Sequence, residues 1–271
     1  MPKNPKPLQV MGIVNVTPDS FSDGGEYNRL NDAIDHVAQL INEGADIVDI
    51  GGESTRPGSF VVSEEQELSR VIPLVEAVQR RFDISISVDT TKPGVMIESI
   101  KAGANLINDV NALKETGALE ALAVTNAKVC LMHMQGEPRN MQKNPHYDEV
   151  VCDVKAFLQE RIQACENAGI GRDRIWLDPG FGFGKSQRHN YQLLQRLQAF
   201  HELQLPLLVG LSRKSMIGHA TGREVKQRLA GSLAAATIAA MKGARIIRVH
   251  DVKETVDAMK VVAATLEGEH L

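Results

Sequence analysis

The sequence predicts an α/β protein folded as a single (β/α)8 TIM barrel, and three observations carry that expectation. Short β-branched runs alternate with helical stretches from one end of the 271-residue chain to the other. No composition break or Ser/Pro-rich linker divides it. The strand–helix unit recurs eight times, the number that closes a parallel barrel. A doubly wound open sheet is the alternative, and the count favours the barrel. The expected organisation is one domain over 1–271, with 1–8 as an N-terminal extension and 267–271 as a frayed C-terminus.

The strands are expected at Val10–Val16, Asp46–Ile50, Ile84–Val88, Leu106–Val110, Val129–Met134, Ile175–Leu177, Leu207–Leu211 and Ile246–Val249. Their near-continuous apolar character suits parallel strands buried on both faces. Between them, Leu30, Ile34, Val37, Ala38 and Ile41 form one apolar stripe at helical spacing. Val71, Leu74, Val75 and Val78 form another, opened by Ser63-Glu-Glu-Gln66, which fits a capping box. Gly44, Gly103, Gly169 and Gly243 each stand where a helix gives way to a strand, as a left-handed helix stop would.

Apolar content of 43% with 24% charged residues allows a sizeable core. The formal charge of −4 argues against a nucleic-acid partner, which needs a basic surface. Residues 1–7 contain no apolar signal-peptide segment. The longest apolar run, Leu233–Met241, is far short of the ~20 residues that span a bilayer. A cytoplasmic location with no membrane partner is therefore expected. Cys130, Cys152 and Cys165 show neither disulfide nor zinc spacing and are expected to be buried or half-buried thiols.

In a parallel barrel the reacting groups gather at the carboxyl ends of the strands. Here those ends read Asn15-Val-Thr-Pro-Asp-Ser-Phe-Ser-Asp-Gly-Gly25, Gly51-Gly-Glu-Ser-Thr-Arg-Pro-Gly58, Asp89, Asn108-Asp109, His133, Asp178-Pro-Gly180, Ser212-Arg-Lys-Ser215 and Arg248-Val-His250. A single Asp is often only a helix cap, and Asp89, before Thr-Thr-Lys-Pro, is open to that reading. Polar groups at all eight ends exceed what capping needs, and charges walled by hydrocarbon are costly unless partnered.

Some motifs fail. Pro179-Gly-Phe-Gly-Phe-Gly-Lys-Ser186 misses a Walker A loop at its first position, and Gly180-x-Gly182-x-Gly184 is not the dinucleotide fingerprint. His133 lacks a partner at ligand spacing and reads as a hydrogen-bonded barrel histidine; Lys185 reads as structural or peripheral.

Met11-Gly-Ile-Val-Asn-Val-Thr-Pro-Asp-Ser-Phe-Ser-Asp-Gly-Gly25 resembles the first signature of the dihydropteroate synthase family, and Gly51–Gly58 resembles the second. Agreement continues in order through Ser87–Thr90, Ile107–Asp109, Leu131–Met134, Leu177–Lys185, Leu211–Ser215 and Arg248–His250, nearly the whole chain. The resemblance implies the same barrel and a magnesium-dependent reaction of folate biosynthesis. In it, 6-hydroxymethyl-7,8-dihydropterin diphosphate condenses with p-aminobenzoate to give dihydropteroate and pyrophosphate.

The pterin edge offers two parallel N–H donors that an ionised carboxylate accepts together. By the resemblance Asp178 takes that role, with Asn108 and Asp89 on other ring positions and Lys214 donating to the ring. Departure of pyrophosphate leaves a benzylic-like cation that a fixed carboxylate would stabilise, and Asp89 is the candidate. Arg248, His250, Arg56, Thr55 and Asn15, the last through Mg²⁺, would share the leaving group's charge. Asp89, Lys214, Arg248 and His250 thus form the expected catalytic set.

Ser215 and its helix start would hold the p-aminobenzoate carboxylate, with Phe21 and Pro57 flanking the ring. The loops Thr17–Asn28 and Gly52–Val62 would close over bound pyrophosphate, so that the amine binds last. Glu53 is expected to pair with Arg56 or another loop cation. Sulfonamide sensitivity follows from the same pocket. The rivals are a pterin-binding methyltransferase domain serving a corrinoid protein and a non-catalytic pterin-binding paralogue. The first loop signature with Arg248 and His250 speaks against the former, and retention of Asp89, Lys214 and Arg56 against the latter. The smooth helix Leu229–Met241, with Gly231, Ser232 and six alanines, suggests a homodimer through the last two helices, an expectation drawn partly from the family.

Overall fold

The computed structural model describes residues 8–16, 26–54, 62–138 and 140–267, with side chains for all of these except 26–29 and 267. Eight parallel strands, β1 (Gln9–Asn15), β2 (Ile47–Gly51), β3 (Ser85–Asp89), β4 (Leu106–Asp109), β5 (Lys128–Met132), β6 (Ile175–Asp178), β7 (Leu208–Val209) and β8 (Ile246–Val249), alternate with helices. The helices are α1 (Glu26–Asn42), α2 (Glu64–Arg81), α3 (Pro93–Ala102), α4 (Ala118–Ala123), α5 (Val150–Asn167), α6 (Gln187–Gln195), α7 (Ser215–Thr221), α8 (Leu229–Met241) and α9 (Val252–Glu267).

The hydrogen-bonded order is β6-β5-β4-β3-β2-β1-β8-β7, so the first strand lies between the second and the last. A parallel bridge between Leu177 and Leu207 joins the two ends, helped by the Leu177 N–H donating to the Pro206 carbonyl at 2.9 Å. The sheet is thus rolled into a nearly closed barrel, and the doubly wound alternative is excluded. The expected β7 was five residues long and is observed as two. Leu211 instead accepts from the Lys214 N–H (3.2 Å) in a turn leading to α7, which begins at Ser215 where a helix start is expected and ends at Thr221, apart from Leu229–Met241.

Local signals held where they were short-range. Ser63 and Gln66 form the reciprocal capping box at the start of α2, and Val71, Leu74, Val75 and Val78 are fully buried beneath it. All four expected helix stops take positive φ, from 87° at Gly169 to 119° at Gly103. The stripe of α1 is turned slightly from the expected line. Ala33, Ile34, Val37 and Leu40 are buried, whereas Ala38 and Ile41 are only half-buried.

Period two along the strands separates two cores. Val10, Val14, Val48 and Ile50 face the helices in the larger one. Met11, Ile47, Leu106, Cys130, Trp176, Leu208 and Ile246 form a second cluster inside the barrel. This interior plug is the floor on which the polar carboxyl end stands. Cys130 and Cys165 are buried as expected, but Cys152 is exposed in the first turn of α5. Among the described residues, no helix is long and apolar enough to cross a membrane.

Candidate active site

Register brings the polar strand ends together. Asn15 pairs with Gly51, Gly51 with Asp89, Asp89 with Asn108, and Asn108 with Cys130. On the β8 side, Arg248 sends Nε to Asp49 Oδ2 at 2.5 Å and Nη2 to Asp89 Oδ2 at 2.9 Å. Asn108 Nδ2 donates to the same oxygen of Asp49 at 3.2 Å. Asn108, Asp49, Arg248 and Asp89 are therefore one connected network across β4, β2, β8 and β3.

Asp49 is fully buried, and the sequence reading missed it. Its signal is a charge inside the apolar run Ile47-Val-Asp-Ile50, two positions after inward-facing Ile47, rather than at a strand end. Asp49 Oδ1, Ser87 Oγ and Asn108 Oδ1 have no protein partner and are buried, which leaves unused acceptor capacity beside the network.

Asp89 does not cap the following helix. Its carboxylate belongs to Arg248, while the Lys92 N–H donates to Thr90 Oγ1 at 3.2 Å and α3 has no side-chain cap. Burial pushes the Asp89 carboxyl up to about 7; the Arg248 charge opposes this and the Asp49 charge adds to it. Burial works against the Arg248 guanidinium, but Asp49 and Asp89 outweigh it, so its cationic form is strengthened. Asp109, by contrast, turns its two oxygens to the backbone N–H groups of Asn111 and Leu113, both at 2.7 Å, and serves as a local cap.

The β6 side is built from backbone. Asp178 Oδ1 accepts the Gly180 N–H at 2.7 Å. Gly180 has φ +71°, and a Cβ there would stand 1.8 Å from the His133 carbonyl oxygen, so only glycine fits. Lys214 donates to the Phe181 carbonyl, with Nζ 4.7 Å from the centre of the Phe183 ring. Phe183 was not among the expected site residues, because nothing marks it beyond its place in the glycine run. Burial raises the Asp178 carboxyl from its ordinary range, with Lys214 and the Gly180 N–H opposing. Burial lowers the Lys214 ammonium to about 8, with Asp178 opposing.

His133 is the hydrogen-bonded barrel histidine that was expected. Its Nδ1 lies 2.8 Å from Lys185 Nζ, and burial together with that lysine holds it neutral, at about 2. At the end of β8, His250 Nδ1 is 3.0 Å from Ser212 Oγ, which accepts the His250 N–H at 3.2 Å. Ser215 is exposed as the first residue of α7, and Lys214 precedes it in extended conformation. Asn15 is half-buried, its amide oxygen 3.8 Å from where a Gly51 Cβ would be, beside Asp89. Glu53 pairs with Lys92, which also binds Glu67 at 2.5 Å. Phe21, Thr55, Arg56 and Pro57, and most of both long loops, lie outside the described residues. Among the described residues, no group of three or more His, Cys, Asp or Glu side chains is arranged to hold a metal ion.

A family model for pterin binding enzymes matches residues 11–250. The dihydropteroate synthase of Escherichia coli (strain K12) is 61% identical over 260 residues, covering 96% of this chain and 92% of that protein. The chain belongs to the dihydropteroate synthase family. Among solved structures, dihydropteroate synthase of Yersinia pestis in a sulfonamide drug complex superimposes with a TM-score of 0.92 at 57% identity, over 97% of this chain and 95% of that one. That of Xanthomonas albilineans in complex with 7,8-dihydropteroate gives 0.88 at 51% identity, over 96% and 94%. Membership in the dihydropteroate synthase family accounts for the barrel and sets aside the corrinoid methyltransferase reading.

Proposed function

We propose that this chain catalyses the condensation of 6-hydroxymethyl-7,8-dihydropterin diphosphate with p-aminobenzoate, releasing pyrophosphate and forming 7,8-dihydropteroate for folate biosynthesis in the cytoplasm. The observation that carries the reading is the meeting of Asp89, Asn108, Asp178, Lys214 and Arg248, from five different strands or strand ends, over one apolar barrel floor.

Asp178 accepts the two parallel N–H donors of the pterin, and their arrival favours its ionised form against the cost of burial. Asn108, whose Oδ1 lacks a protein partner, takes a further ring donor. Lys214 donates to the ring from its place above Phe183. The bond between the hydroxymethyl carbon and the bridging oxygen then breaks, the electron pair leaving with pyrophosphate. Ionised Asp89 stabilises the resulting cation without reorganising. The amine nitrogen forms the new bond and loses its proton to solvent.

Arg248 and His250, with Thr55 and Arg56 of the second long loop, take the charge of the leaving group. A magnesium ion fits the donor set, because Asn15 presents one hard amide oxygen beside Asp89 and the diphosphate would supply most other ligands. Asn15 would hold it there, and it would supply positive charge against the leaving diphosphate. The backbone N–H groups at the start of α7 and Ser215 receive the p-aminobenzoate carboxylate, with Phe21 and Pro57 on its ring. A sulfonamide occupies the same place and inhibits. Exposed Leu229, Ile238 and Met241 on α8, with Val261 and Leu266 on α9, suit a homodimer interface.

Pyrophosphate release by the purified chain, with and without p-aminobenzoate and beside Asp178→Ala, tests the reading. Release should require the amine and disappear in the variant. Release that ignores both would refute it.

A further inference from the structure

Lys185 is only 3% exposed, and among the described residues it forms no ion pair with a carboxylate. Its ammonium instead faces main-chain oxygens and a ring nitrogen: the Gly180 carbonyl at 2.8 Å, the Phe183 carbonyl at 3.0 Å, His133 Nδ1 at 2.8 Å and the His133 carbonyl at 3.3 Å. This cage spends the donors of one side chain on two chain segments, His133 after β5 and the Gly180–Phe183 loop after β6. Burial drives Lys185 well below its ordinary range, with the Asp178 charge opposing. A buried amine of this kind is an expensive way to fill space, since an apolar side chain of equal length would do so without the desolvation cost.

What the cage holds is the inner frame of the pterin site. Gly180 is gripped at both ends of its peptide units. Its carbonyl accepts from Lys185, and its N–H donates to Asp178 Oδ1 at 2.7 Å. Two residues on, Gly182 faces the other lysine, its missing Cβ 3.3 Å from Lys214 Cδ. The loop runs between Lys185 and Lys214, and all three of its glycines have positive φ. Phe183, whose carbonyl binds Lys185, carries the ring beneath Lys214 Nζ. Asn190 and Tyr147 complete the scaffold, accepting the Gly182 N–H at 2.7 Å and donating to the Gly184 carbonyl at 2.8 Å.

We infer that Lys185 is a positioning residue for pterin recognition: through the Gly180 and Phe183 carbonyls it sets the rotamer of Asp178 and the resting place of Lys214, while touching no substrate itself. This rests on the pterin-binding reading above. It assigns work to a lysine that the sequence left as structural or peripheral, and it predicts a split between the two substrates, because the proposed amine contacts lie on α7 and the long loops.

The test uses the full chain with Lys185→Met, which keeps side-chain length and removes the donors, and Lys185→Gln, which keeps two donors without charge. Binding of 6-hydroxymethylpterin is measured by calorimetry, KM for each substrate by pyrophosphate release, and folding by thermal melting. Lys185→Met should melt cooperatively yet weaken pterin binding and raise the KM for pterin diphosphate by about 10- to 100-fold, with the KM for p-aminobenzoate moving by less than about twofold. Lys185→Gln should fall between it and wild type. Unchanged pterin binding in Lys185→Met, or an equal rise in both KM values, overturns the proposal. Should that variant not melt cooperatively, the same two criteria are applied to Lys185→Gln. Wild-type chain that binds no 6-hydroxymethylpterin would sink the functional reading and this proposal with it, whereas wild-type binding with unaltered variants would sink only this proposal.

Discussion

On the β2–β3–β4–β8 side of the bowl, charge is held by charge: Arg248 lies between Asp49 and Asp89, and Asn108 leans on Asp49. On the β5–β6–β7 side, charge is held by backbone, with Asp178 on the Gly180 N–H, Lys214 on the Phe181 carbonyl and Lys185 among three carbonyls. The strands of the first side leave three buried polar atoms unpartnered, at Asp49, Ser87 and Asn108, and the helices between them two more, at Glu67 and Ser99. None of the unpartnered atoms among the described residues belongs to the second side. The difference suggests a division of labour. A network of charges can re-partition when a polyanionic leaving group arrives, whereas a ring edge is best read by donors and acceptors that do not move.

That contrast is sharpest at Asp178. Removing it as Asp178→Ala should lower kcat/KM for the pterin diphosphate about 10⁴-fold, since a buried site built for paired donors loses its acceptor. The melting temperature should change little, because a costly buried carboxyl goes with it. Steady-state kinetics and melting on the same preparation check both.

Arg248→Met probes the other side and should show the opposite balance. Asp49 would be left buried without its counter-charge, a loss of about 3–5 kcal/mol in urea unfolding, while kcat falls about 10²–10³-fold. Equal stability of the Arg248→Met and Asp178→Ala chains would break the comparison.

Gly180→Ala tests whether the backbone side is as fixed as described. A methyl group 1.8 Å from the His133 oxygen at φ +71° should cost about 2–3 kcal/mol and weaken pterin binding with it. Activity retained at full strength would mean that the loop yields.

The pH profile joins the two sides. Asp89 is raised to about 7, so the carboxylate proposed to stabilise the cation appears as pH rises through that value. Lys214 is lowered to about 8, so its donor charge is lost above it. The kcat/KM should therefore form a narrow bell with limbs near about 7 and about 8, each changing at most about tenfold per pH unit, and Lys214→Arg should move only the alkaline limb upward. The same shifts imply a stability cost in the working state. The Asp89 contribution, present below its ordinary range, is lost as pH rises through about 7, and that of Lys214, present above its ordinary range, is lost as pH falls through about 8. Far from either side, Ser63→Ala should cost only about 1 kcal/mol, through the lost cap of α2, and leave kinetics unchanged.

Much of the site was legible because barrel chemistry collects at strand ends. Asp89, Asn108, Asp178, Lys214, Arg248 and His250 could be picked out as polar residues closing apolar runs. Asp49 escaped because it lies within a strand, where only the period-two alternation and the closed register reveal that it faces inward. Phe183 and the role of Lys185 escaped for a related reason. A glycine run announces a turn, but not which carbonyls it presents or to what.

By itself, then, the sequence determined what short-range physics governs: the strand–helix alternation, the capping box at Ser63, the left-handed stops at four glycines and the polar strand ends. Closure decided the rest. Pairing β1 with both β2 and β8 brought residues 199 positions apart, Asp49 and Arg248, into contact, and joining β6 to β7 through Leu177 and Leu207 set the Gly180–Gly184 loop between two lysines. Burial, partner and protonation state are properties of where a side chain ends up, and only the folded barrel assigns that place.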